Sequence, residues 1–265
     1  MFITRLRLKK LYNTRDLGGI PAGGGKRIRK GKLVRSGKLS DLPKKTAEAL
    51  KEFGVTTVFD MRTDRERNYQ PDTLMDGVKY ISHPIITTPI PVLPDERTMR
   101  LYMKKESYRL KEEFGDMDAY MTEVYRSILF SDEGQGGLKA FLKCVIEEEG
   151  CILWHCGSGK DRAGIGAMLL EGLLGVSERF IYEDYLASRE FWHRKYFWNK
   201  VVIFIAPTSV RFKKIFLAMM RLKREYLETV IEEMKTRYGG IVGYCKQVLG
   251  ITDEDIKLLK EKYLV

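Results

Sequence analysis

Residues 151–174 read CILWHCGSGKDRAGIGAMLLEGLL, which predicts a strand, a polar loop and a helix in direct succession. The apolar run over 151–155 is typical of a buried strand, and the small apolar residues over 163–174 are typical of a buried helix. The loop between them contains two glycines and three charged residues. Ligands of α/β proteins bind at the carboxyl ends of strands, so this loop is the first candidate for a functional site.

The rest of the chain supplies further strands and helices. β-branched and apolar residues predict a strand over 55–59, and residues 78–86 are a second extended candidate. Helices are predicted over 43–53, 116–130, 137–149 and 253–263, with Thr252 as the cap of the last one. These elements predict an α/β fold. No repeat or linker divides the chain, so we expect a single domain over residues 1–265.

The composition excludes several classes of protein. The chain has 47 Lys and Arg against 36 Asp and Glu, and the net charge of +11 suggests an anionic partner. The four cysteines show no CxxC spacing and no zinc-type cluster with histidine, so neither a disulfide framework nor a metal site is expected. No apolar run approaches the roughly 20 residues of a membrane-spanning helix. We therefore expect a cytoplasmic protein, with peripheral membrane contact or export without a cleavable signal as alternatives.

The loop over 156–162 combines residues that suit phosphate chemistry. A helix N-terminus presents unpaired N–H groups and a partial positive charge, and Gly157 and Gly159 allow the backbone to curl around an anion. Five residues separate Cys156 from Arg162, so the cysteine can lie below a tetrahedral dianion while the guanidinium binds two of its oxygens. The same positive potential favours a thiolate, which is a nucleophile for phosphoryl transfer.

These residues resemble a known family. His155, Cys156, five residues and Arg162 resemble the signature of the protein tyrosine phosphatase superfamily. The full HCGSGKDR over 155–162 resembles the atypical bacterial branch of tyrosine and lipid phosphatases with an HCxxGKDR loop. Further agreement comes from NTRDLGG at 13–19, LVRSG at 33–37, FDMRT at 59–63 with Glu66 and Arg67, and the tail from Tyr238 to Thr252.

The resemblance implies a protein tyrosine phosphatase-like fold. In this fold a central, mostly parallel sheet is flanked by helices and carries a helical lid-like insertion, which we place over about 180–236. It also implies a phosphoric monoester hydrolase that needs no metal or other cofactor. The expected substrates are a phosphorylated protein or a phosphoinositide.

The resemblance also assigns roles to residues of the loop. Cys156 is the expected nucleophile, and the phosphate oxygens are expected to bind Gly157, Ser158, Gly159, Lys160 and Arg162. His155 is expected to hydrogen-bond the loop, although it can equally be a plain core histidine. Asp60 and Arg62 follow a predicted strand. They are expected either to support the loop or to have a purely structural role. Lys160 is associated in the branch with phosphoinositide substrates, with a solvated loop lysine as the alternative.

The general acid has two candidates. Asp161 lies inside the phosphate loop, as in the lipid-phosphatase-like branch, and Asp95 lies in an irregular proline-rich stretch. Protonation of the leaving oxygen requires such a group. We favour Asp161.

Ala163 departs from the family, which usually has Ser or Thr directly after the arginine to assist release of the thiolate. We therefore expect the Cys156 phosphoenzyme to break down slowly.

A basic segment over 191–224 accounts for much of the excess charge. Nine Lys or Arg residues alternate there with large apolar residues, and no Asp or Glu interrupts them. The segment is either a solvated face of core-packed helices, a lid over the phosphate loop, or a surface for anionic lipid. No nucleic-acid module is recognisable, so no nucleic-acid partner is expected.

Two other classes of function compete with a phosphatase. A catalytically weak phosphate-binding module, recognising phosphoprotein or lipid, is supported only by Ala163. A sulfurtransferase can also place a cysteine on a short anion-binding loop, but the run Lys160-Asp161-Arg162 disfavours it. Hydrolysis of an aryl phosphate distinguishes the phosphatase from the binding module.

Overall fold

The computed structural model of the protein describes residues 4–85, 117–190 and 221–265. Asp95, most of the basic segment over 191–224 and the middle of the predicted insertion lie outside these residues. None of the described helices is long and apolar enough to cross a bilayer.

A six-stranded sheet is the centre of the described part of the chain. Its strands are β1 (Thr4–Arg5), β2 (Arg15–Asp16), β3 (Leu33–Ser36), β4 (Val55–Asp60), β5 (Lys79–Ser82) and β6 (Cys151–His155), in the spatial order β1-β2-β3-β6-β4-β5. The neighbours β3–β6, β6–β4 and β4–β5 are parallel, and the pairs β1–β2 and β2–β3 are antiparallel. The predicted α/β fold with a mostly parallel sheet is confirmed.

Helices cover both faces of this sheet. In the described ranges they are α1 (Lys44–Glu52), α2 (Asp64–Tyr69), α3 (Met117–Phe130), α4 (Asp132–Glu147), α5 (Arg162–Leu173), α6 (178–190), α7 (Arg224–Tyr238), α8 (Ile241–Gln247) and α9 (Asp253–Tyr263). The predicted cap of the last helix is confirmed, because the Thr252 hydroxyl accepts a hydrogen bond from the Asp255 N–H at 3.1 Å. Of the predicted insertion, only the helical parts in α6 and α7 are described.

Two hydrophobic cores sandwich strand β6. Ile152 and Trp154 belong to the larger core, which also contains residues of α3 to α9, whereas Cys151 and Leu153 belong to the smaller core with α1. Alternate side chains of a strand point to opposite faces, so a strand buried on both faces is apolar throughout. This explains why residues 151–155 form a continuous apolar run.

The helix predicted over 137–149 begins five residues earlier, at Asp132, and ends at Glu147. Ser131 caps it by accepting a hydrogen bond from the Gly134 N–H at 3.1 Å. A Cβ on Gly134 would lie 2.2 Å from the Ile128 carbonyl oxygen, and one on Gly137 would lie 2.6 Å from Ile85 Cγ1. These glycines are therefore required by close packing rather than by a turn. The second predicted strand, over residues 78–86, is described up to residue 85, and within that part only Lys79–Ser82 joins the sheet.

The register of the parallel strands brings three polar residues to one edge of the sheet. His155, the last residue of β6, pairs with Ser36 on one side and with Asp60 on the other. All three strands therefore end at the same level, and the loop after β6 starts between the loops that follow β3 and β4. This edge is the one at which α/β proteins bind ligands.

Candidate active site

The loop over 156–162 connects β6 to α5 and packs closely on the end of β3. Cys156 is buried at its base. Gly159 has a φ of 69°, and a Cβ there would lie 2.4 Å from the Ser36 carbonyl oxygen. Only glycine combines that left-handed backbone with such a close approach. The loop conformation therefore depends on a glycine at this position.

Four successive carbonyl groups of the loop bind to the protein scaffold. The Lys38 N–H donates to Gly157 O at 3.2 Å, and Asn13 Nδ2 donates to Ser158 O at 3.1 Å. Arg35 Nη2 donates to Gly159 O at 2.9 Å and to Lys160 O at 3.2 Å. In a trans peptide the carbonyl and the following N–H point in opposite directions. The N–H groups of residues 158–161 therefore point away from the scaffold, as an anion-binding nest requires.

A buried charge cluster holds Arg35 in place. Asp184 of α6 bonds both Arg35 and Arg15, with 2.6 Å between Asp184 Oδ1 and Arg15 Nε. Arg15 Nη1 in turn donates to Asn13 Oδ1 at 2.6 Å, so the cluster also orients the side chain that binds Ser158 O. Burial raises the pKa of Asp184, but Arg15 and Arg35 outweigh that effect and lower it. The carboxylate is therefore a stable anion between two cations.

The cluster beneath the loop contains a second acidic residue. Glu171 of α5 is also fully buried, and burial together with Asp184 raises its pKa well above its usual range. Burial and Arg35 lower the pKa of Arg15 to about 10, which keeps it protonated at neutral pH. Arg15 and Arg35 are thus positive groups next to the loop, and their potential favours an anion bound there.

Arg162 is oriented by Glu66. Its Nη1 and Nη2 donate to the two carboxylate oxygens of Glu66 at 2.8 and 2.6 Å. Burial opposes both charges, but the pairing lowers the pKa of Glu66 to about 2 and raises that of Arg162. Thr63 completes the arrangement through a capping box with Glu66 at the start of α2. The paired geometry fixes the plane of the guanidinium. Nη1 also donates to the Met61 carbonyl oxygen at 3.3 Å, so within the described ranges the Nε–H and the second hydrogen of Nη2 remain for an anion.

Asp161 is contacted on both of its carboxylate oxygens. The Tyr125 hydroxyl donates to Oδ1 at 2.6 Å, and Lys160 Nζ lies 3.4 Å from Oδ2. Lys160 also donates to the Arg221 carbonyl oxygen at 3.2 Å and is buried, so it is not a solvated loop lysine. The structure thus places Lys160 beside Asp161, at the end of the loop where α5 begins.

His155, Asp60 and Arg62 form a buttress behind the loop. His155 Nδ1 lies 3.2 Å from Cys156 O, and Nε2 lies 2.9 Å from Asp72 Oδ2. Arg62 Nη2 lies 2.8 Å from one oxygen of Asp60 and 2.8 Å from one of Asp72. Burial lowers the pKa of His155, but Asp60 and Asp72 outweigh it and raise that pKa. Arg62 and His155 thus face the two carboxylates, and this network suits support of the Cys156 backbone.

The same buttress contains three potential metal ligands. Single ligand atoms of Asp60, Asp72 and His155 lie within 4.8 Å of one another. The guanidinium of Arg62 already bonds both carboxylates, so a cation would have to displace it. The donor set fits an internal ion pair better than it fits a metal ion.

The three cysteines other than Cys156 lie outside the loop over 156–162. Cys144, Cys151 and Cys245 are buried in the hydrophobic cores, where burial raises the pKa of each thiol to about 12. They are core residues.

The structure adds residues to which the sequence analysis gave no role. Glu66 and Arg35 were part of the motifs that carry the family resemblance, but their partners were unknown. The Thr63-x-x-Glu66 spacing is typical of a capping box, which is present, and such a spacing gives no sign of an arginine partner. Asp72, Tyr125 and Asp184 carried no signal at all in the sequence.

Comparison with known proteins identifies the family of the chain. Residues 6–265 match the model of the tyrosine phosphatase family. The chain belongs to the tyrosine phosphatase family. It is 27% identical to a putative tyrosine-protein phosphatase of Cupriavidus necator, over 98% of this chain and 88% of that protein. It is 25% identical to the triple specificity protein phosphatase PtpB of Mycobacterium tuberculosis, over 94% of this chain and 95% of that protein.

A third relative extends the agreement. The chain is 25% identical to a tyrosine-protein phosphatase of Nostoc commune, over 86% of this chain and 72% of that protein. The predicted family and enzyme class are therefore confirmed, and the tyrosine phosphatase described here is a phosphoric monoester hydrolase.

The pairing of Glu66 with Arg162 predicts a large effect of Glu66→Gln. The variant keeps the size of the side chain but removes the charge that orients the guanidinium. Hydrogen bonds to charged groups contribute about 1.5–3 kcal/mol, so we expect kcat/KM for an aryl phosphate to fall roughly 10- to 100-fold. Glu178→Gln, which loses an exposed contact with Lys235, is the matched control. Activity in Glu66→Gln equal to that of the control would contradict the orienting role.

The buried position of Asp184 predicts that Asp184→Asn loses stability. Removing one partner of a buried charge pair costs about 3–5 kcal/mol, so the free energy of unfolding should fall by that amount in denaturant titrations. Affinity for inorganic phosphate should fall too, because Arg35 no longer holds the loop carbonyls. Glu183→Gln changes the neighbouring exposed residue, which pairs with Arg179, and should leave both quantities unchanged. If Asp184→Asn resembles that control, the cluster does not support the loop.

Proposed function

We propose that this tyrosine phosphatase hydrolyses phosphomonoesters, with phosphotyrosine in proteins as the main substrate class, through a phosphoenzyme on Cys156. The observation that carries the proposal is the loop itself. Within seven residues it combines a buried cysteine, four carbonyl groups bound to the scaffold, and an arginine whose plane is set by Glu66.

The first step transfers the phosphoryl group to sulfur. The Cys156 thiolate attacks phosphorus, the bond from phosphorus to the ester oxygen breaks, and Asp161 gives its proton to the departing oxygen. Arg162 and the N–H groups of the loop bind the equatorial oxygens, where negative charge is concentrated in the transition state.

The second step regenerates the enzyme. A water molecule attacks the phosphorus of the thiophosphate, Asp161 accepts a proton from that water, and the bond between phosphorus and sulfur breaks. Inorganic phosphate and the Cys156 thiolate are the products.

The ion pair that orients Arg162 persists over the pH range in which both steps operate, because Glu66 stays ionised down to about pH 2. The contribution of this ion pair to the free energy of unfolding is present above pH 4.5 and is lost as the pH falls towards 2.

The surroundings of Asp161 support it as the general acid. Its carboxylate is held at the end of the loop by the hydrogen bond from Tyr125, and Lys160 Nζ lies 3.4 Å from its other oxygen. The carboxylate is partly accessible, with 20% of the side chain exposed. The rival, Asp95, lies outside the described residues. A general acid must combine a fixed position with access to the substrate, and Asp161 has both.

The position of Lys160 favours phosphoprotein over phosphoinositide. The ammonium group contacts Asp161 and the Arg221 carbonyl oxygen, so it acts beside the general acid rather than as a free cation for a second phosphate. PtpB of Mycobacterium tuberculosis is named a triple specificity protein phosphatase. Phosphoprotein and phosphoinositide are both included in the test of this preference.

A panel of substrates on two variants tests the proposal. Cys156→Ser should abolish hydrolysis of phosphotyrosine peptides and of p-nitrophenyl phosphate while it retains affinity for inorganic phosphate. Asp161→Asn should lose roughly 100-fold or more in rate with peptides, because general acid catalysis contributes about 10²–10⁴-fold.

Three outcomes would contradict parts of the proposal. Turnover retained in Cys156→Ser would refute the assignment of Cys156 as the nucleophile. Phosphate binding without any hydrolysis by the wild-type protein would favour a phosphate-binding module. Faster hydrolysis of phosphoinositides in anionic vesicles would reverse the preference for phosphoprotein.

Ala163 predicts that the second step is slow. Its methyl group cannot donate a hydrogen bond to the thiolate that leaves, and the residue is fully buried at the start of α5. Mixing wild-type protein with p-nitrophenyl phosphate should therefore release a burst of p-nitrophenol before the steady state. Ala163→Ser should raise the steady-state rate and reduce the burst. No burst, together with unchanged turnover in Ala163→Ser, would contradict this prediction.

A further inference from the structure

A pair of buried tyrosines lies directly behind Asp161. Tyr125 of α3 donates its hydroxyl to Asp161 Oδ1 at 2.6 Å, and its oxygen lies 2.7 Å from the Tyr185 hydroxyl of α6. Both side chains are almost completely buried. The two helices therefore bring a chain of two hydroxyl groups to the side chain proposed as the general acid.

The number of hydrogen atoms determines the direction of this chain. A tyrosine hydroxyl has one hydrogen atom. While Asp161 is ionised, Tyr125 uses its hydrogen for Oδ1, so Tyr185 must donate to Tyr125. Burial raises the pKa of both tyrosines well above the usual value, which keeps both hydroxyl groups protonated. They are permanent donors next to the carboxylate.

The hydrogen bond from Tyr125 occupies only one of the two carboxylate oxygens of Asp161, so the other can exchange a proton. Oδ1 is occupied by the short hydrogen bond from Tyr125. Oδ2 lies 3.4 Å from Lys160 Nζ, which is beyond the usual length of a hydrogen bond, so it retains a lone pair for a proton. A carboxylate that acts first as acid and then as base needs one oxygen fixed and the other free.

We propose that Tyr125 is a positioning residue for the general acid. Its hydroxyl fixes Asp161 Oδ1, so that Oδ2 faces the leaving group in the first step and the water in the second. This inference rests on the proposed function, because it assumes that Asp161 exchanges the proton.

The packing of the ring makes Tyr125→Phe a clean variant. The ring of Tyr125 packs on those of Tyr185 and Tyr226, with centroids 6.2 and 5.8 Å apart, and phenylalanine keeps both contacts. Only the hydroxyl is lost. The Tyr185 hydroxyl then loses its partner in a buried site, which lowers stability for a reason unrelated to Asp161. The double variant Tyr125→Phe/Tyr185→Phe removes that unpaired group.

The test compares leaving groups under single-turnover conditions. For phenyl phosphate, whose leaving group needs a proton, Tyr125→Phe should form the phosphoenzyme about 10-fold more slowly, as expected for a lost hydrogen bond to a charged group. For p-nitrophenyl phosphate, whose leaving group needs little assistance, the rate should stay near that of wild type. The inhibition constant of inorganic phosphate should not change. Tyr263→Phe, which removes a buried hydroxyl that bonds Val145 O, is the matched control.

Two double variants separate positioning from stability. Tyr125→Phe/Tyr185→Phe should recover stability and keep the selective loss with phenyl phosphate. Adding Tyr125→Phe to Asp161→Asn should cause no further loss, because the two residues act through one proton transfer.

The possible failures are distinguishable. If Asp161→Asn shows the selective loss and Tyr125→Phe does not, the positioning role is wrong and the proposed function stands. An equal loss with both aryl phosphates in Tyr125→Phe would indicate a structural role and also overturn the inference. If Asp161→Asn has the leaving-group dependence of wild type, the general acid of the proposed function is wrong, and the role of Tyr125 with it.

Discussion

The contact of Arg35 with the carbonyl groups of Gly159 and Lys160 is the interaction on which the site depends. A loop of seven residues has no secondary structure to fix its peptide planes, and carbonyl groups turned inwards would repel a phosphate. Hydrogen bonds from Arg35, Asn13 and the Lys38 N–H turn four carbonyls towards the scaffold. The N–H groups are thereby arranged before any substrate arrives, so the protein does not pay that cost of reorganisation during the reaction.

Three arginines support the site, and each binds two acceptor groups at fixed angles. Arg35 bridges Asp184 and the loop carbonyls, Arg62 bridges Asp60 and Asp72, and Arg162 binds both oxygens of Glu66. A lysine offers a point charge without such directionality. The guanidinium groups of Arg35 and Arg62 are buried, and that of Arg162 is mostly buried, with 16% of its side chain exposed. In each case the paired carboxylate offsets the cost of removing the charge from water. The positive potential of the site therefore comes from rigid groups.

The local chemistry of the loop could be predicted from sequence, because strand, loop and helix follow one another within 24 residues. Cys156, Arg162 and the glycines have the spacing of an anion-binding loop. The supporting residues could not be predicted in this way. Glu66 lies 96 residues from Arg162, Tyr125 lies 36 residues from Asp161, and Asp184 lies 149 residues from Arg35. Only the fold brings them together, and a lone Asp, Glu or Tyr in a helix has no pattern that reveals its partner. The start of α4 was misplaced for a related reason, since one of its glycines, Gly137, packs against a distant part of the chain at Ile85.

The central claim is that the loop is arranged as a phosphate cradle above Cys156 before substrate binds. A crystal structure of Cys156→Ser with inorganic phosphate tests it most directly. The account predicts a phosphate bound by the N–H groups of residues 158–161, with Arg162 on its oxygens and still paired with Glu66, and with Arg35 still bonded to Gly159 O and Lys160 O. A phosphate bound elsewhere, or loop carbonyls turned towards the anion and away from Arg35, would contradict it.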